Sequence, residues 1–197
     1  MELTKELELD LRKKIELEPL DESTLSRVWQ HTQDKDTAFA ILTAYRNERH
    51  SFENFKLNLV LANKVHRLGF GYFFLEGHTI ENEGTPTETK VEEQSIFVIA
   101  KPKSKQASER MKHDLLELAK AYEQEGIFWK PAGENNGYIA SSDGSLSGPL
   151  SLSPDKIGTY YSKLKTGSHA GRDFKFEAAL IPRNINGKRI AESRYKS

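Results

Sequence analysis

The apolar positions of this chain change their spacing several times, and each spacing predicts an element. Leu3, Leu7, Leu11 and Ile15 recur every fourth residue between charges, which predicts an amphipathic helix over residues 3–17, ended by Pro19. Asp21 stands where it would cap a second, shorter helix carrying Leu25, Val28 and Trp29, and the polar run His31–Thr37 breaks that pattern. Residues 38–45, AFAILTAY, are almost continuously apolar, as expected of a strand buried on both faces. A long helix follows, with Ser51 as its expected cap. Phe55, Leu59 and Ala62 lie beside Leu57, Leu61, Val65 and Leu68 on its broad inner face, and Gly69 stops it. Phe70–Leu75 reads as an aromatic strand, Glu81–Lys90 as a polar loop with Gly84 and Pro86, and Ser95–Ala100 as the next strand. Residues 105–124 carry the stripe Ala107, Met111, Leu115, Leu118, Ala119 and Tyr122, a second long helix. Gly126 is expected to end it before the short strand Ile127–Trp129.

This order predicts an α+β fold with a ferredoxin-like βαββαβ core over residues 37–131. Residues 1–36 form an N-terminal helical segment, and residues 132–197 a C-terminal α/β extension packed on the core. In the extension, glycines and serines punctuate short apolar pieces such as Tyr138–Ala140, which suggests hairpins. Ser153-Pro154-Asp155 signals a helix start with Ile157, Tyr160, Tyr161 and Leu164 on its apolar face. Asp173–Ile181 alternates like a strand, and the chain from Pro182 onward reads as extended. The two long helices cover one face of the sheet. The other face needs the N-terminal helices or the tail, or it stays open for binding.

Composition adds exclusions. The chain has 197 residues and no cysteine, so disulfides, cysteine-based zinc sites and thiol nucleophiles are ruled out. No apolar run approaches the roughly 18 residues of a membrane span. The start, Met1–Glu6, has neither the basic opening nor the apolar stretch of a secretory leader, so the expected location is the cytoplasm. The charge total is 29 against 29, but its distribution is uneven. Residues 1–36 balance to −4, Glu76–Glu93 to −5, and Lys156–Ser197 to +7. One basic end and one acidic face can therefore coexist in a neutral chain. Within the basic end, Lys163, Lys165, Arg172, Lys188 and Arg189 are candidate contacts to nucleic acid or an acidic partner; the alternative is that they neutralise the acidic part of their own fold.

Candidate chemistry concentrates where the first strand runs into a helix start. There, Tyr45-Arg46-Asn47-Glu48-Arg49-His50-Ser51 gathers polar groups beside backbone N–H donors. Arg46 or Arg49 would grip a phosphate or carboxylate, and His50 would exchange protons near neutrality; equally, the segment is a polar loop with Ser51 as a plain cap and Asn54 as an inward hydrogen bonder. Glu93, where a strand enters the sheet, would pair with Arg46, act as a base or face water. His78 invites a two-histidine phosphoesterase reading, which requires a hydroxyl residue two positions on; Ile80 stands there instead. The six histidines form no i,i+4 metal pair, and neither a metal site nor a cofactor is expected.

The spaced pattern Leu42-Thr43-Ala44-Tyr45, Ser51, Glu53-Asn54, Asn58, Gly69, Gly77, Glu93-x-Ser95 and Gln124-Glu125-Gly126-Ile127 resembles a small bacterial and phage-encoded family of unknown function. The resemblance covers roughly residues 38–130. In that family the first tyrosine or tryptophan usually runs into Asn-Pro, whereas Arg46-Asn47 follows here. It implies that Tyr45, Ser51, Asn54, Glu93, Ser95 and Gln124 lie near one another at one end of the sheet. It also makes a host-directed or counter-defence role plausible. With Arg46 and Asn47 these residues form the expected ligand-binding set.

The function expected first is a non-enzymatic binding protein, a phage or mobile-element accessory that engages a host protein or nucleic acid. A second reading is an enzyme on a phosphate-bearing substrate using Arg46, His50, Glu93 and His78. A third is a virion-associated or assembly protein. Membrane association is not expected, and the oligomeric state is left open.

Overall fold

A computed structural model describes residues 17–20, 22–46, 48–81, 86, 89–153, 157 and 175–182. They form eight strands and three helices: β1 (Leu17–Leu20), α1 (Glu22–Gln33), β2 (Ala38–Leu42), α2 (Ser51–Arg67), β3 (Gly71–Glu81), β4 (Thr89–Ala100), α3 (Lys105–Ala121), β5 (Gly126–Lys130), β6 (Gly137–Ser141), β7 (Leu146–Leu150) and β8 (Lys175–Pro182). The fold is α+β. All eight strands join one sheet in the order β1-β8-β3-β4-β2-β5-β6-β7. Every neighbouring pair is antiparallel.

The central strands are apolar on both faces because both faces are covered. On one side Ala40, Leu42, Phe74, Ile96, Val98 and Trp129 pack under α2 and α3, which contribute Leu61, Val65, Met111 and Leu115. On the other, Phe39, Ile41, Phe73, Phe97 and Phe128 meet Val28 of α1 together with Leu152 and Ile157. The second face is thus closed from both ends of the chain. Phe39 stacks between Phe97 at 4.9 Å and Phe128 at 5.9 Å between ring centroids. Such a run must alternate between two apolar layers, which is why residues 38–42 carry no polar side chain.

Several sequence expectations change. Leu17 does not close a helix: Leu17–Leu20 is a strand paired with Ala179–Pro182. Pro19 fits there because β1 is an edge strand, where a missing N–H breaks no inner ladder. The helix begun near Asp21 continues through His31 to Gln33. β2 ends at Leu42, three residues early, because the chain beyond it takes side-chain partners. Ser51 is the first residue of α2 and not its cap; His50 holds the cap position without a capping side-chain hydrogen bond. Leu68 is 44% exposed and leaves the inner face of α2. β3 and β4 run further than their apolar cores, to Glu81 and from Thr89, since Glu81 still pairs with Thr89. Glu92, Glu93 and Gln94 therefore lie inside a strand instead of before it.

The end of α3 differs too. The helix stops at Ala121, and Glu123, not a glycine, takes the left-handed conformation (φ 59°) that closes it. Gly126 opens β5 instead; a Cβ there would sit 2.3 Å from the Ala140 carbonyl oxygen, so only glycine lets β5 and β6 approach. β6 and β7 are the expected hairpin, and they extend the central sheet. The expected helix over residues 3–16, the tyrosines at 160 and 161 and the chain beyond Pro182 lie outside the described residues.

Candidate functional site

Where β2 leaves the sheet, side chains replace the strand ladder. The Thr43 hydroxyl donates to the Gln94 carbonyl at 2.9 Å and accepts the Tyr45 N–H at 3.1 Å. The Ala44 N–H donates to Asn58 Oδ1 at 3.0 Å, while Asn58 Nδ2 donates to the carbonyl and to the side-chain oxygen of Gln94. One turn earlier on the same helix face, Asn54 accepts the Arg46 N–H at 2.9 Å and donates to the carbonyls of Arg46 and Arg49. Thr43, Asn54, Asn58 and Gln94 are all buried, so these bonds stand in for water. The two asparagines thus anchor the backbone on either side of Tyr45, from which Arg46 and Arg49 project.

Gln124 ties in the far side. Its Nε2 donates to the Tyr45 carbonyl at 3.1 Å, and its own carbonyl accepts the Ser142 hydroxyl at 2.7 Å. Asn54 and Gln124 therefore meet at the Tyr45–Arg46 peptide. Their polar groups serve the backbone here. Asn54 is the inward hydrogen bonder that the plainer reading anticipated.

On the surface of this knot two guanidinium groups converge. Arg49 Nη2 lies 2.9 Å from Glu123 Oε2, and Arg46 Nη1 lies 3.3 Å from the same oxygen. Arg46 also donates to the Glu123 carbonyl at 3.0 Å and grips Glu48 with Nε and Nη2, at 3.2 and 3.3 Å. Arg49 Nη1 donates to the Ala44 carbonyl at 3.2 Å. Hydrogen bonding to Arg46 holds the Glu48 carboxyl below its usual range, and the same bond raises the Arg46 guanidinium. Arg46 thus pairs with both Glu48 and Glu123. Glu123 carries its positive φ at the point where its carboxylate bridges both arginines.

The other candidates sit elsewhere. Glu93 and Ser95 are buried on β4, on either side of Gln94, and alternation turns them to the sheet face opposite the one on which Gln94 meets α2. In the ladder Glu93 lies opposite Gly77, Ser95 opposite Leu75, and His78 opposite Glu92. His50 and Ser51 are exposed at the start of α2. Asn47, Lys163, Lys165, Arg172, Lys188 and Arg189 lie outside the described residues. Among the described residues no three His, Asp or Glu side chains gather as a metal ion would require. No described helix is long and apolar enough to cross a membrane.

Glu123, Gln94 and Ser142 join the site beyond the residues expected from the sequence. Gln94 had a legible signal, a polar residue leading directly into an apolar strand. Glu123 had none, because its role depends on a loop 74 residues away. Gln94 Nε2 is buried without a hydrogen-bond partner. No family model matches the chain, and no curated protein or solved structure matches it either.

Proposed function

We propose that the chain is a non-enzymatic binding protein that recognises acidic groups on a nucleic acid or host protein through its paired arginines. The observation that carries this reading is the convergence of Arg46 and Arg49 on one carboxylate oxygen of Glu123. Two guanidinium groups on backbone that the buried Asn54 holds are pre-ordered for a phosphate or carboxylate. Glu123 occupies that position in the free protein with its side chain 64% exposed. Exposed ion pairs of this kind contribute only about 0–1 kcal/mol, so an incoming acidic group displaces Glu123 at small cost. The basic residues of the C-terminal segment would add to the same electrostatic attraction.

In this reading the protein is an accessory of the kind phages and mobile elements carry, acting in the host cytoplasm. Its central strands, in the order β3-β4-β2-β5 with α2 and α3 on one face, support a ferredoxin-like core. β6 and β7 widen it on one side, and β8 and β1 on the other.

Fluorescence anisotropy with labelled single- and double-stranded oligonucleotides at about 50 and 200 mM salt tests the nucleic-acid arm. Binding that weakens with salt, and that R46E/R49E weakens at least about tenfold, supports it. If oligonucleotides do not bind, the partner is a protein, and the same double variant must abolish host-protein capture. Binding unchanged by R46E/R49E in both formats overturns the reading.

A further inference from the structure

The opposite end of the sheet carries a feature the arginine knot does not explain. β2 begins opposite Ala100 and ends opposite Ile96, so the arginines lie past one end of this ladder. Past the other end, where β3 starts and β4 runs into α3, a cleft of about 640 Å³ opens. Its apolar lining comes from Phe70, Ile99, Ala107 and Met111, and its basic lining from Lys101 and Lys103.

Each part has a reason for its position. Gly69, at φ +96°, turns the chain out of α2, so Phe70 comes to line the cleft half-buried before β3 begins. Met111 is buried on the inner face of α3, while Ala107, one turn earlier, is exposed. Alanine at that position leaves room that a larger side chain would fill. Lys101 is fixed by Asp34, whose carboxylate oxygen lies 2.7 Å from its Nζ. The Asp34 turn is itself pinned by Lys130, whose Nζ donates to the carbonyls of Asp34 and Thr37, both at 2.6 Å. Lys103 stands exposed at the lip. Past it, the first N–H groups of α3 precede the helical ladder and add a positive field on the same side.

We infer that this cleft binds a nucleoside phosphate, with the base on the Phe70–Met111 lining and the phosphate at Lys101 and Lys103. The volume falls within the roughly 300–1,000 Å³ of small-molecule sites. An apolar lining with an ammonium lip selects an anion that carries a flat apolar body. Lysines suit a phosphate, which they meet as compact point charges. The inference stands apart from the arginine reading, since the two sites share no residue.

Isothermal titration of the full chain with adenosine monophosphate, adenosine and inorganic phosphate tests it, beside K103E and A107W. Both substituted positions are exposed, and far-UV circular dichroism checks that each variant is folded. The expected result is saturable binding of the monophosphate, with adenosine and phosphate each at least about tenfold weaker. K103E should weaken the monophosphate by about tenfold or more, and A107W should remove binding by filling the cleft. No saturation at concentrations of about 1 mM overturns the inference. So does phosphate binding as tightly as the nucleotide, or binding that neither variant changes. An oligonucleotide that binds where the monophosphate does not would also overturn it.

Discussion

Asn58 makes three hydrogen bonds from one buried amide, and its neighbours offer no substitute. Replacing it with alanine strands the Ala44 N–H and the Gln94 side-chain oxygen in the interior. The expected cost is about 2–4 kcal/mol by urea denaturation, because buried groups left unpaired lose their full hydration. Gln94→Leu makes the control. It removes a donor that has no partner together with one acceptor of Asn58 Nδ2, which keeps its bond to the backbone carbonyl of residue 94. Its cost should be the smaller, about 1–2 kcal/mol, because only one buried N–H of Asn58 loses its partner. If the two variants lose equal stability, the network does not work as a set of separable bonds. Asn58 itself was visible in the sequence, inside the spaced pattern, but its partner was not. An asparagine on the apolar face of a helix announces an inward hydrogen bond without saying to what.

Two elements are joined by single side chains, and each junction yields a prediction. Lys130, fully buried at the end of β5, holds the turn between α1 and β2 through backbone carbonyls. Burial lowers its ammonium from the ordinary lysine range, against the attraction of nearby Asp34, Asp36 and Glu134. Lys130→Met should cost about 3–5 kcal/mol, read as a lower urea midpoint, since it leaves these carbonyls unsatisfied. A loss below about 1 kcal/mol would mean that water replaces the ammonium at once. Glu123 closes α3 in a conformation that costs a side-chain-bearing residue roughly 1–2 kcal/mol. Glu123→Gly removes that strain together with two exposed ion pairs of small value, so stability should hold or rise by about 1 kcal/mol. The arginines lose their bridge in the same variant. A marked fall in melting temperature would show that the bridge matters more to the fold than the strain.

For the molecule as a whole, stability should decline toward both ends of the pH scale. Asp34 is held at about 2, first by its hydrogen bond to Lys101. Its contribution is therefore present above the unfolded carboxyl value near 4 and is lost as pH falls from about 4 toward 2. Burial also lowers His31, so protonation in the unfolded chain begins to favour unfolding below about pH 6.5. At the alkaline end, burial raises Tyr72 to about 12. Its neutral phenol favours the folded state below pH 10, and that advantage, about 2–3 kcal/mol, is lost as pH rises from 10 to about 12. Denaturation midpoints across pH should show both limbs, with D34N flattening the acid one and Y72F the alkaline one. Limbs that these variants leave unchanged would assign the decline to other groups.

The central elements follow from local sequence, because an apolar spacing is a local property and burial selects the conformation that matches it. Residues 38–42, the inner face of α2 and the stripe of α3 were legible for that reason, and so was the α+β class. Tertiary structure decided what lies beyond the apolar runs. Glu93, Gln94 and Ser95 read as a polar approach to a strand, yet they are buried within it. The Gln94 backbone and side chain meet partners 36 and 51 residues away, and only those long-range bonds make the burial affordable. Leu17–Leu20 is a strand because Ala179–Pro182 lies beside it, which no local pattern around Pro19 encodes. The convergence of Arg46 and Arg49 on Glu123 is of the same kind. Charged residues have no periodicity to reveal their partners, and the folded chain alone chooses which opposite charge comes within reach.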